Sequence, residues 1–136
     1  MEGKKIKKDF MTEKWIIPED WRGVKELLIF NVRNEIHLEK NIDELENIVE
    51  EIFKKLFWVR IKKLKFVYYK GKPSIVIKFL ETHGAIFAHY SLTESFSLKR
   101  KLLLGQNSEV FRISSNRTKV KEKDGWIAII FRKLPK

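Results

Sequence analysis

Residues 58–80 read WVRIKKLKFVYYKGKPSIVIKFL, and this stretch carries most of the information about the fold. Its first half is rich in aromatic and β-branched residues, which favour strands. The residues Lys70-Gly71-Lys72-Pro73 then have the composition of a turn, and residues 74–80 form a second apolar run. Two strand-like runs joined by a short turn predict a β-hairpin.

The segment before this hairpin is predicted to form a helix over residues 42–57. Its apolar residues recur every three or four positions, as on the buried face of an amphipathic helix. Asn41 and Glu44 are spaced like a capping box, and Lys54 and Lys55 suit the negative C-terminal end of a helix. Its acidic residues form an outer face that could dock a basic partner, although a solvated helix face is the simpler interpretation. They are Asp43, Glu44, Glu46, Glu50 and Glu51.

Further strands are predicted on both sides of these two elements. Period-two alternation and turn residues indicate a short strand at 15–17, a strand or hairpin over 28–38, strands at 85–90 and 109–114, and a hairpin over 118–134. Residues 91–104 fit both a helix and a strand, and the helix is favoured. The prediction is an α+β fold: an antiparallel sheet of about five to seven strands with one or two helices packed on one face.

Length and composition limit the class of protein. The chain has 136 residues, of which 43% are hydrophobic and 35% are charged, so we expect one folded domain over 15–136 after a basic, flexible segment 1–14. The absence of cysteine excludes disulfides, zinc–thiolate sites and cysteine catalysis. Segment 1–14 lacks the apolar run of a signal peptide, and the longest apolar run, 126–131, is too short to span a bilayer. We therefore expect a cytoplasmic protein without a membrane partner.

The positive charge is concentrated in one part of the chain. The formal net charge is +11, yet residues 1–53 carry −4 and residues 54–136 carry +15. Twelve of the 17 aromatic residues also lie after residue 53. A basic, aromatic-rich region next to an acidic one predicts a surface for a polyanion.

Three groups of residues are candidates for that surface. Single-stranded nucleic acid is bound by cations, which contact phosphates, and by aromatic rings, on which bases stack. In the hairpin the candidates are Arg60, Lys62, Lys63, Lys65, Lys70 and Lys72, with Tyr68 and Tyr69 for stacking. The second group is Lys99, Arg100 and Lys101, and the third is Arg112, Arg117, Lys119, Lys121 and Lys123. Each group also has a structural interpretation: lysine stems covering apolar neighbours, cations at a helix C-terminus, or edge-strand lysines that oppose aggregation.

The sequence predicts no catalytic residue, no metal ligand and no cofactor. His83 and His89 are too far apart on a strand, and too far out of phase on a helix, to chelate one ion. The Glu-x-Lys spacing of many metal-dependent nucleases occurs only at Glu2-Gly3-Lys4, before any predicted element. A metal-free cleavage of RNA would use His89 and Tyr90, and this alternative stays open.

These observations predict a non-catalytic protein that binds single-stranded DNA or RNA through a basic, aromatic-containing sheet surface. Two alternatives remain: a protein–protein module, either an accessory subunit or an inhibitor, whose basic face binds an acidic protein, and a small nuclease. An exposed edge strand would also allow a homodimer. The Lys-, Ile- and Glu-rich, cysteine-free composition is similar to that of small proteins from thermophilic archaea and their viruses, and no motif carries this similarity. The same composition also fits AT-rich bacterial genomes.

Overall fold

The computed structural model describes residues 7–9, 14–33, 42–57, 59–94 and 107–133. The described helices are α1 (Ile42–Phe57) and α2 (Thr82–Glu94), and a 3-10 turn covers Glu19–Trp21. The described strands are β1 (Lys7–Asp9), β2 (Lys14–Ile16), β3 (Glu26–Phe30), β4 (Ile61–Tyr69), β5 (Lys72–Phe79), β6 (Glu109–Ile113), β7 (Lys119–Glu122), β8 (Gly125–Ala128) and β9 (Arg132–Lys133). Strands β1 and β2 form a separate antiparallel pair.

The other seven strands form one antiparallel sheet that closes into a barrel. Their order is β8-β7-β6-β3-β5-β4-β9. The two edges, β8 and β9, are separated along the chain only by residues 129–131. One stretch of chain therefore pairs with β7 on one side and with β4 on the other. Since both edges of the sheet belong to this stretch, which we call the closing strand (residues 125–133), the sheet has curled round on itself.

Alternate residues of the strands point into the barrel or away from it. The interior contains an apolar cluster from β3, β4, β5, β6, β7 and the closing strand, and Leu28, Val76, Ile113 and Val120 are among its buried members. The outer side of β3, β4 and β5 carries a second buried cluster, which includes Leu27, Ile77 and Phe79. The sheet is therefore apolar on both sides in its middle strands, which explains why β5 is an almost continuous run of apolar residues.

Helix α2 covers the outer cluster and corrects one prediction. Residues 85–90, predicted to be a strand, lie within this helix. Ala85, Ala88 and Leu92 are buried against the outer side of the sheet at spacings of three and four residues. Because most residues around the circumference of the helix are apolar or small, its sequence shows no clear helical period. The strand predicted for residues 85–90 was therefore wrong.

Several other predictions agree with the described elements, although the strand predicted from residue 28 ends at Phe30, and residues 7–9 of the N-terminal segment form β1. The α+β class, the helix over 42–57 and the hairpin around residue 70 are all confirmed. Lys70 and Gly71 have φ angles of 50° and 74°, which is the left-handed pair required by a two-residue hairpin turn. Predictions for residues 34–38 and 95–104 fall outside the described residues, as do residues 1–6 and 10–13 of the N-terminal segment. Neither described helix has the length and apolar character needed to cross a bilayer.

Candidate functional site

Five cations and one carboxylate meet at the end of the barrel where β4 begins. They line a cavity of about 260 Å³ together with the buried side chain of Val76. The cations are Lys62, Lys63 and Lys65 of β4, Lys78 of β5 and Arg117 of the turn before β7, and the carboxylate is Glu26 of β3. We call this group the basic mouth. It has a formal charge of +4, and four segments of the chain contribute to it.

Strand pairing and a β-bulge place the lysines of the basic mouth together. The two-residue turn sets the register in which Lys63 lies opposite Lys78. The register then shifts between Ile61 and Lys63, because Ile61 pairs with Phe79 and leaves Lys62 without a partner residue. Such a bulge changes the direction of the side chains, and here Lys62 lines the same cavity as its neighbour Lys63.

Glu26 and Arg117 form the only ion pair that the structure shows among these six residues. The Arg117 Nε donates to Glu26 Oε1 at 2.9 Å, and the Glu26 side chain is 6% exposed. Arg117 has a φ of 60°, a left-handed conformation that is uncommon outside glycine. The pair therefore satisfies the buried carboxylate and holds Arg117 at the rim of the cavity, which leaves the lysines with excess positive charge.

The crowding of positive charge affects the titration of Lys65. Contact with the Lys63 amine, and then the charge of Lys63, lower the pKa of the Lys65 ammonium group below its ordinary value of 10.5. Burial and Arg117 act in the same direction, and Glu26 opposes them. Like charges this close are unfavourable unless an anion lies between them.

A second cavity adjoins the basic mouth on the side of β3. It has a volume of about 370 Å³ and shares Glu26, Lys62 and Lys78 with the first cavity. Lys25, Ser114 and Ser115 contribute its other polar groups. The two cavities form a continuous depression with cations along its length.

The other end of β4 has a different electrostatic arrangement. Tyr69 donates a hydrogen bond of 2.9 Å to Glu122 Oε1, and the Lys70 ammonium group donates one of 2.7 Å to the same oxygen. Lys70 is the main cause of the lowered pKa of Glu122, and the Tyr69 hydrogen bond adds to it. Tyr69 is only 3% exposed and packs inside the barrel, so its ring has no face on which a base could stack.

The outer side of β7 and of the closing strand combines cations with exposed apolar groups. Lys121 lies opposite Trp126 in the pairing of β7 with β8, and its Nζ is 5.8 Å from the indole ring centre. Trp126 is 39% exposed and Ile130 is 82% exposed, which is unusual for side chains of this size. Lys119 is exposed on the same strand as Lys121 and follows Arg117 of the basic mouth by two residues. We call Lys119, Lys121 and Trp126 the outer patch.

A large cleft lies next to this surface, between the turn after β4 and the closing strand. Its volume is about 640 Å³, and Tyr68, Lys70, Ile130 and Arg132 are among the residues that line it. Tyr68 pairs with Arg132 across the two strands and is partly exposed. Of the two tyrosines predicted to stack, Tyr68 is therefore the one that is accessible.

Arg112, another predicted contact residue, is engaged in the fold. Its Nη1 donates to the Asp20 carboxylate at 2.9 Å, and its guanidinium group lies 4.5 Å from the centre of the Trp21 ring. Trp21 in turn packs edge-on against His89 at 5.2 Å. Burial, and then the charge of Arg112, lower the pKa of His89 from 6.5 to about 4. We assign Arg112 a structural role, since these contacts hold its guanidinium group in place within the fold.

The remaining predicted residues lie elsewhere. Arg60 lines a small cavity of about 160 Å³ together with Glu81 and His83. Lys72 is exposed at the start of β5. Lys123 is exposed in the turn after β7, which ends at Glu122, so only Lys119 and Lys121 of the predicted row of three lysines lie on the strand. Lys99, Arg100 and Lys101 lie outside the described residues.

Sequence reasoning missed Glu26, Lys78 and Lys25. Lys78 could have been found, because a two-residue turn at 70–71 places it opposite Lys63 by counting along the hairpin. Nothing local marks Glu26, which sits in an apolar strand and becomes part of the site only through strand pairing. Lys25 likewise reaches the depression only through the position of β3 beside β5.

Comparison with other proteins adds no further assignment. Among the described residues, no three His, Asp or Glu side chains converge in a way that could hold a metal ion. The chain matches no protein-family model, no curated protein and no solved structure.

Proposed function

We propose that this protein binds single-stranded nucleic acid, with phosphates at the basic mouth and bases stacked on exposed aromatic rings of the barrel. The observation that carries the proposal is the convergence of five cations on one carboxylate at the basic mouth. An arrangement with this excess of positive charge is favourable when an anion neutralises it.

The outer patch supports the same ligand. Lys121 and Trp126 place a cation and an accessible ring side by side, which is the combination used to hold a phosphate and an unstacked base. Tyr68 offers a second ring, flanked by Lys70 and Arg132. Lys119 lies two residues from Arg117, so the chain itself connects the basic mouth with the outer patch.

The two described helices favour a single strand over a duplex. Duplex readers commonly insert a basic helix into the major groove. Helix α1 begins with acidic residues, and α2 contains no lysine or arginine. The proposed contacts come instead from strands and turns of the barrel, which suits a flexible strand with accessible bases.

The test is fluorescence-anisotropy titration of labelled single-stranded and duplex oligonucleotides at several salt concentrations. We expect tighter binding to the single strand and a steep loss of affinity with salt, because each neutralised phosphate contributes about 0.7 to the logarithmic salt slope. The triple substitution of Lys119, Lys121 and Lys123 by alanine should weaken binding and flatten that slope. Trp126→Ala should weaken binding and leave the slope unchanged, because it removes stacking without removing charge.

Two results would contradict the proposal. Equal, weak binding to single strands, duplexes and heparin would mean that the positive charge acts only as a non-specific field. Binding that the triple variant leaves unchanged would remove these three lysines from the contact surface. In the first case the alternative of an acidic protein partner would become the better explanation of the basic mouth.

A further inference from the structure

We infer that the basic mouth is a pocket for a terminal phosphate monoester, so that the protein recognises a phosphorylated end of a strand. This inference rests on the proposed function and specifies which part of the ligand occupies the cavity. The residues that line the cavity, its charge and the depression beside it support this inference.

The lining of the cavity places its cations beside the apolar interior of the barrel. Val76, one of the residues that line it, is buried in the apolar cluster of the barrel interior together with Leu28 and Ile113. An internal phosphate carries nucleotides on both sides, whereas a terminal phosphate presents its charge at the tip of the chain. A terminal phosphate can therefore reach cations that border the apolar interior without the chain having to continue past them.

The charge of the cavity suits a dianion. Glu26 is the one carboxylate that lines the cavity and it is paired with Arg117, so the five cations of the basic mouth keep a formal excess charge of +4. A phosphodiester has one negative charge, whereas a phosphate monoester carries about −1.5 to −2 at pH 7 and has three acceptor oxygens. The lowered pKa of Lys65 reflects the same crowding, which a bound dianion would relieve.

The adjoining cavity provides a path for the rest of the strand. It continues from Lys62 and Lys78 toward Lys25 and the hydroxyl groups of Ser114 and Ser115. With the terminal phosphate in the basic mouth, the first sugar and the next phosphate would lie along this depression. The carboxylate of Glu26 borders both cavities and opposes any anion there, so its charge limits the affinity.

The experiment compares three oligonucleotides of one sequence: a 5′-phosphorylated, a 3′-phosphorylated and an unphosphorylated strand. We expect one phosphorylated strand to bind about tenfold more tightly than the unphosphorylated strand at moderate salt, because charge-assisted hydrogen bonds to the extra charge are added. Inorganic phosphate at millimolar concentration should reduce that preference. The strand that binds more tightly shows whether the pocket takes a 5′-terminal or a 3′-terminal phosphate.

Matched variants locate the effect. The double substitution Lys63→Gln with Lys78→Gln should abolish the preference for the phosphorylated strand. Lys70→Gln with Lys72→Gln removes the same charge at the other end of the hairpin and should retain it. Glu26→Gln should strengthen binding of the phosphorylated strand several-fold, since it removes the opposing charge without changing the shape of the cavity.

The outcomes separate this inference from the proposed function. Equal binding of all three strands would overturn the terminal-phosphate pocket and leave single-strand binding intact. Failure to bind any of the three would overturn both. A preference that survives the Lys63 and Lys78 double variant, in protein whose thermal unfolding shows that it is folded, would place the phosphate elsewhere and overturn the assignment to the basic mouth.

Discussion

Each end of strand β4 carries cations near a carboxylate, but the two ends differ in whether the carboxylate balances the cations. Where β4 ends, Lys70 and Tyr69 both donate to Glu122, and each polar group has a partner. Where β4 begins, five cations surround Glu26, which is paired with Arg117. The comparison shows that the number of cations on a strand does not identify a binding site. What distinguishes the basic mouth is an excess of positive charge over its single carboxylate, which is already paired with Arg117.

The largest effect is expected in a third region, around Arg112, where a buried histidine lies beside a cation. His89 is held neutral by burial and by Arg112, and its pKa is about 4. Below pH 6.5 the unfolded chain binds a proton at His89 that the folded protein binds only near pH 4. The contribution of neutral His89 to the free energy of unfolding should therefore be complete above pH 6.5. It should be lost progressively, by about 3 kcal/mol in all, as the pH decreases to 4.

Chemical denaturation between pH 7.5 and 4 measures this change. His89→Phe keeps a ring against Trp21 and removes the titration, so its unfolding free energy should depend much less on pH over the same range. A wild-type protein whose stability does not change between pH 6.5 and 4 would show that His89 is not held neutral.

The second prediction compares a cation that is engaged in the fold with one that lines the basic mouth. Arg112→Ala removes the bond to Asp20 and the contact with the Trp21 ring, and it should lower the free energy of unfolding by about 2 kcal/mol. Lys78→Ala removes a cation of the basic mouth and should change it by no more than about 0.5 kcal/mol. Urea unfolding of both variants tests this difference, and similar losses in the two would mean that the basic mouth also stabilises the fold.

The third prediction concerns the satisfied end of β4. Tyr69→Phe removes the hydroxyl that donates to Glu122 and keeps the ring in the barrel interior. We expect a loss of about 1 kcal/mol in the free energy of unfolding, because Glu122 retains the Lys70 contact. The pKa of Glu122 should rise toward its ordinary value, and carboxyl NMR titration can follow it. An unchanged stability and an unchanged Glu122 pKa would contradict the network.

The smallest effect is expected for a single charge at the basic mouth. Lys63→Gln removes the principal cause of the lowered Lys65 pKa, so that pKa should move back toward 10.5. NMR titration of the lysine side-chain carbons measures it, and Lys72→Gln is the control that should leave it unchanged. An unaltered Lys65 pKa in Lys63→Gln would show that the two amines do not interact in solution.

Local sequence patterns predicted those elements whose signals are strong. The period of apolar residues predicted α1, and the lysine–glycine turn predicted the β4–β5 hairpin. The same approach failed for α2, because a helix that is apolar or small on most sides has no visible period. It also counted Tyr69 as accessible, since alternation gives the side of a strand but not whether that side faces solvent or the interior of a barrel.

From the sequence alone one obtains the α+β class, the acidic helix followed by a basic sheet and the residue types that bind a polyanion, because these depend on composition and on spacing over a few residues. Closure of the barrel by residues 125–133, the burial of Tyr69 and the meeting of Arg117 and Glu26 depend on pairings between segments far apart in the chain. Such pairings follow from how the whole sheet buries its apolar surface. The basic mouth is therefore a property of the folded barrel, since its five cations and its carboxylate come from four segments that only strand pairing brings to one end.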